Sequence, residues 1–244
     1  MEFDNSASRL LAILQAGKRQ PREGNCRQQW HVILQTENNE SKLMSSLGKV
    51  MALPMQILNE LNEHYQPHQI HASHWMSKLD ASFANQQFHS QWATFIDHID
   101  DHTISYLSNS AMLLEGKSLT KVISAEELAS LKTLFSELIE EVLKSEQPKE
   151  LKFFVIKNLK KIVEAIDDYR LTGSLPLIEA MDATIGHCAF NNAYKEFMFK
   201  SSIGTKIAGA LQNLANVATV ATGYAQLAPV TGSTLMLFGR ALGG

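Results

Sequence analysis

Seven of the nine histidines lie between His64 and His102, and two of them, His98 and His102, stand four residues apart beside Asp97 and Asp101. On one continuous helix, an i, i+4 histidine pair with a neighbouring carboxylate forms half of a divalent-metal site. No glutamate occupies the position of the general base in an HExxH zinc helix, which argues against that hydrolytic chemistry. The same residues also suit solvated or capping positions, or a cluster that changes charge just below neutrality. His64, His68 and His71 share a second helical arc, but Pro67 interrupts it. No metal is assigned.

Lys157, Lys160 and Lys161 follow an i, i+3, i+4 spacing that puts three ammonium groups on one helix face. Lys18, Arg19, Arg22 and Arg27 gather around an early loop. Either group suits phosphate, and the three lysines are the ligand-binding candidates for a regulatory nucleotide. Ala111 to Ser118 reads A-M-L-L-E-G-K-S, a relaxed phosphate-loop string. It follows a helical pattern rather than the strand that such a loop needs, so it carries no nucleotide assignment. No serine–histidine–aspartate or cysteine–histidine grouping can be argued from spacing. The expectation is a protein that is not an enzyme and takes no cofactor.

The strongest pattern is near the C-terminus. From Ile207 to Gly239 there is no charged residue, a run of 33 positions preceded by Lys195, Lys200 and Lys206 and followed by Arg240. At the 100° per residue of a helix, Gln212, Asn216, Thr219, Gly223 and Gln226 fall within an arc of roughly 80°. Leu211, Leu214, Val217, Ala218, Ala221 and Ala225 lie opposite. A polar stripe without charge suits a pore lining, or helices that hydrogen-bond across an interface. Small residues at four-residue spacing (Ala215, Thr219, Gly223) permit close helix approach. Pro229 and Gly232 then predict a break, making the segment a helical hairpin.

This arrangement, a helical body followed by a weakly apolar hairpin, resembles latent pore-forming bacterial effectors such as colicins and the membrane effectors of anti-phage defence. The resemblance covers about 40 residues as a pattern. It implies an oligomer with a gated pore or ion channel and a toxic or antiviral role. The alternative is a helical regulator or scaffold whose C-terminal hairpin is an oligomer or partner interface. A homo-oligomer is expected, and a regulatory partner protein is compatible with both readings.

The elements that must position these residues are almost all helical. Alternating β-branched runs closed by Asn-Gly or Asp-Gly turns are nearly absent, so the fold class is all-α, a helical bundle. Helices are expected over Ser6–Gln15, Cys26–Gln35, Ser41–Ala52, Pro54–Tyr65, His68–Gln87, Gln91–Ile99 and Asp101–Leu114. Ser124-Ala125-Glu126-Glu127 is a capping box opening a helix to about Leu143. Further helices follow over Lys149–Arg170, Leu175–His187 and Asn192–Lys200. The implied division is a helical regulatory body over 1–200 and the uncharged segment over 201–244, a membrane or oligomerisation element.

Hydrophobic residues make up 45% of the 244 and charged residues 19%, a globular composition somewhat below the roughly 25% charged share of average domains. The net charge of −3 argues against bulk binding to nucleic acid or anionic lipid. Cys26 and Cys188 make no disulfide framework, and the acidic N-terminus lacks the basic start and apolar length of a signal peptide. These features point to a cytoplasmic protein, associating with the inner membrane if the pore reading holds.

Overall fold

The computed structural model describes residues 4–66, 72–117 and 122–218. Among them are eleven α-helices and one short 3-10 turn, with no strand beyond a single bridge between Asn25 and Gln91. The described residues divide into two compact units, one within 4–117 and one within 122–218. The division thus falls near residue 118, and the helix entering the uncharged segment belongs to the second unit.

The first unit holds α1 (Ser6–Lys18), α2 (Cys26–Leu34), α3 (Glu40–His64), α4 (Ser73–Asn85), α5 (Ala93–Ile96) and α6 (Asp101–Glu115). Four of these helices start on an Asn or Asp whose side chain accepts a backbone N–H: Asn5, Asn25, Asn39 and Asp100. Each such cap contributes about 1 kcal/mol. Trp30, Trp75 and Trp92 are fully buried. The Trp30 and Trp92 rings meet edge to face at 5.0 Å, and Phe95 lies 4.8 Å from Trp30 and 5.0 Å from Trp92. Trp92 Nε1 donates to the Gly17 carbonyl at 2.9 Å. A Cβ on Gly17 would sit only 3.1 Å from the Trp92 ring, so the glycine makes room for the indole.

Proline 54 was expected to begin a new helix. Instead α3 runs through it unbroken from Glu40 to His64. An interior proline costs about 3 kcal/mol. The continuous buried row Leu43, Leu47, Val50, Leu53, Ile57 and Leu61 offsets this, because each fully buried aliphatic side chain returns roughly 1.5–3 kcal/mol. The turn between α2 and α3 holds Gln35, Glu37 and Asn38 at φ of 54°, 51° and 61°, a conformation that costs L-residues energy. Buried Thr36 and His31 tie this turn down through a 2.6 Å hydrogen bond between Oγ1 and Nδ1.

The second unit holds α7 (Ala125–Lys144), α8 (Lys149–Thr172), α9 (Leu175–Gly186), a 3-10 turn at His187–Ala189, α10 (Asn192–Lys200) and α11 (Ser202–Ala218). The capping box is present at Ser124 and Glu127. Leu131, Phe135, Leu138 and Val142 of α7 meet Val155, Leu159, Ile162 and Ile166 of α8 in one core with Leu177, Tyr194, Phe197, Ile207, Leu211 and Leu214. Tyr169 Oη accepts from the Ile123 N–H at 2.8 Å, and Tyr194 Oη donates to the Thr184 carbonyl at 3.1 Å. Burial pushes the Tyr194 phenol well above its ordinary pKa, which keeps it a donor. The α10–α11 corner depends on Gly204: a Cβ there would lie 2.1 Å from the Phe197 carbonyl oxygen and 2.6 Å from Met198 Cα.

Candidate functional site

Helix α11 turns its apolar face inward. Ile207, Ala210, Leu211, Leu214, Ala215 and Ala218 are buried, while Gly209, Asn213 and Asn216 are exposed and Gln212 is half-buried. Gln212 Nε2 donates to Asn216 Oδ1 at 3.1 Å, so the two stripe residues within the described range do lie side by side. At the start of the helix, Lys206 Nζ lies 2.9 and 2.8 Å from the two Glu141 carboxylate oxygens of α7. Leu134, Glu137, Leu138 and Glu141 of α7, with Lys206, Gly209, Ala210 and Asn213 of α11, line a shallow groove of about 300 Å³. Its floor is aliphatic and its rim carries carboxylates, an ammonium and an amide. Such a lining offers a partner both apolar area and hydrogen bonds.

This geometry overturns the pore reading. Among the described residues no helix is long and apolar enough to cross a membrane. The described helix Ser202–Ala218 includes Lys206, Gln212, Asn213 and Asn216, which interrupt the apolar run that a spanning helix needs. The apolar face opposite the stripe is used by the unit's own core, where Leu211, Leu214 and Ala218 are buried. Gln212, half-buried, and Asn216, exposed, lie on the side of α11 away from that core. Thr219, Gly223 and Gln226, like the break at Pro229 and Gly232, lie outside the described residues.

Lys157, Lys160 and Lys161 are all exposed on α8, as the spacing implied, with Glu164 on the same face one turn beyond. None of the three makes an ion pair with a described residue. The early basic residues belong to the other unit, and several are already paired. Lys18 Nζ meets Asp101 at 3.0 Å, Arg22 holds Asp97 through two hydrogen bonds of 2.9 and 2.6 Å, and Arg27 reaches Glu40. The hydrogen bonds from Arg22 keep the Asp97 carboxyl below its usual pKa, against a smaller opposing effect of burial.

The histidine pair is not on one helix. α5 ends at Ile96 and α6 begins at Asp101, so His98 sits in the connection and the i, i+4 register with His102 is lost. Asp97 and Asp101, the carboxylates of the imagined site, are held by Arg22 and Lys18. Among the described residues no three His, Cys, Asp or Glu side chains are placed to hold a metal ion. His68 and His71 lie outside the described residues. So does Ser118, and the helix α6 that runs into the A-M-L-L-E-G-K-S string follows no strand.

Two polar groupings had no clear sequence signal. His74 Nε2 lies 3.1 Å from each Asp100 oxygen, and Lys78 Nζ lies 3.3 Å from Oδ2. Burial works to raise the Asp100 carboxyl, yet hydrogen bonds from His74, from the Thr103 backbone and hydroxyl, and from Lys78 outweigh it and hold it well below the usual range. Across the α2–α3 turn, Thr36, His31 and Glu40 form a hydroxyl–imidazole–carboxylate line, with His31 Nε2 3.2 Å from Glu40 Oε1. That order suggests nucleophilic catalysis. Thr36 is fully buried, however, so no substrate carbonyl can reach its hydroxyl, and the line braces the α2–α3 turn.

Comparison with known proteins adds no relative: no family model matches the chain, and neither a curated protein nor a solved structure matches it.

Proposed function

We propose that this chain is a non-catalytic helical scaffold or regulator whose C-terminal segment, from the outer face of α11 onward, is an interface to other copies or to a partner protein. One observation carries the reading. α11 is anchored inward by Ile207, Leu211 and Leu214, while beyond Lys206, which pairs with Glu141 of its own unit, the exposed positions Gly209, Asn213 and Asn216 of its outer face are neutral. The absence of charge continues in sequence to Gly239. Solvated helix faces usually carry Glu, Lys or Arg, whereas depletion of charge is typical of interface centres. The groove beside Asn213 supplies the apolar part of the same surface.

The test compares the full chain with one ending at Ala218, which keeps every described helix. Sedimentation velocity and partner capture are measured on both. The full chain is expected to associate further, or with a partner, in a way that the shortened chain loses with unchanged helicity. Equal association of the two chains would remove the C-terminal segment from the interface.

A further inference from the structure

The outer face of α3 carries a second uncharged stripe, in the first unit. Met44, Met51 and Met55 are 44%, 49% and 53% exposed, and Gly48 lies between them. The spacings of four, three and four residues place them on one line along the helix. Ser41, Ala52, Asn59 and Asn62 continue the same side, so an arc of about 100° runs from residue 41 to residue 62 without a charge. The charged residues Lys42, Lys49, Glu60 and Glu63 of α3 lie off this line, and Glu40, one turn before Met44, is paired with Arg27 and His31 of its own unit.

We propose that this stripe is a self-association seam, in which α3 of one copy packs antiparallel against α3 of a second copy about a twofold axis between Gly48 and Met51. The order of residues is what points to a second copy. Read from either end, the spacing is the same, so antiparallel pairing sets Met44 against Met55 and Gly48 against Met51. A Cβ on Gly48 would have no atom within 4 Å, which leaves an open notch for the partner's Met51. The seam positions alternate as a and d of a heptad, and antiparallel pairing matches a with d. Because neither copy presents a charge along the line, no like charges face each other, and an isologous twofold contact is self-complementary. Methionine adapts its shape to such a surface.

Area sets the strength of the contact. Three half-exposed methionines with the residues between them amount to roughly 300–400 Å² per copy, at the scale of the largest patch on a typical monomer. The total stays below the ~1,200 Å² of a stable specific interface. The dimer is therefore weak and depends on concentration.

The experiment uses the full chain. Sedimentation equilibrium between about 1 and 300 μM should show the mass rising towards twice 27.2 kDa. Met51→Glu, which places two carboxylates beside the axis, should weaken association at least tenfold while leaving the thermal melt unchanged. Orientation is read by cross-linking in a Cys188→Ser background, where Cys26 remains fully buried. Mixed Met44→Cys and Met55→Cys chains should form a disulfide dimer. Met44→Cys chains alone should not, because the twofold axis separates the two Met44 positions by 11 residues, about 16 Å. A chain that stays monomeric, an association that Met51→Glu leaves intact, or homotypic Met44→Cys cross-linking overturns the seam. The chain ending at Ala218 retains α3 and should keep this dimer. Association lost on that truncation but insensitive to Met51→Glu would support the C-terminal interface and refute this one.

Discussion

Replacing Leu214 by Ala tests whether α11 is core or surface. Leu214 is fully buried among α7 and its neighbours, whereas Asn216, two residues on, is exposed. The substitution removes three carbon atoms from a packed site. At about 0.8 kcal/mol per buried methylene, the transfer loss is ~2 kcal/mol, and the cavity left behind brings the total to about 3 kcal/mol. For a unit of about 100 residues, each kcal/mol moves Tm by roughly 4–8 °C, so the expected drop is about 12–24 °C. Because the chain has two compact units, calorimetry should resolve two transitions, of which Leu214→Ala shifts one. Asn216→Leu in parallel should stay within about 0.5 kcal/mol, as exposed substitutions do. If Leu214→Ala leaves both transitions in place, α11 is not part of the folded core. The account of its inward face would then fail.

Two further outcomes follow from the same structure. Gly204→Ala should destabilise the second unit by about 1–3 kcal/mol, since its Cβ would press on the backbone at Phe197 and Met198; a melt equal to that of the parent chain would show that the corner can open. The folded Asp100 carboxyl titrates below the unfolded value of about 3.9, so its contribution is present above about pH 4 and lost as pH falls through the folded value. Asp100→Asn keeps the helix cap but loses the charged contacts to His74 and Lys78. It should cost about 1 kcal/mol at pH 7, reduced for partial exposure, and flatten the acid limb of the stability curve; identical limbs would refute the assignment.

Much of the fold could be read from residue patterns, for local reasons. The Ser124–Glu127 box, the helix Asn192–Lys200 and the core rows of α7 and α8 are set by caps and periodicity within a single turn or two. Pro54 misled because local chemistry favours a break there, and only the long buried row on both sides of it carries the helix through. His98 and His102 misled because the register between them depends on the chain turning at Asp100, where the carboxylate caps α6 and ends continuity with α5. His74 and Asp100 are 26 residues apart, and their meeting is a tertiary fact with no sequence period. The methionine stripe has a clear period, but only its exposure distinguishes it from a core row.

The C-terminal pattern failed as a membrane signal for a more general reason. Periodicity reports that one face of a helix avoids water; it does not report what covers that face. Lipid, a partner and the unit's own core all demand the same spacing of Leu211, Leu214 and Val217. The structure answers for α11 through Glu141, which anchors Lys206 at the helix start, and through the α7 side chains beneath Leu211 and Leu214. This also decides where a truncation must fall. A chain ending at Lys200 would lose Ile207, Leu211 and Leu214 from the core, so any loss of association would report unfolding. Ending at Ala218 leaves that core intact, and association lost there belongs to the segment beyond.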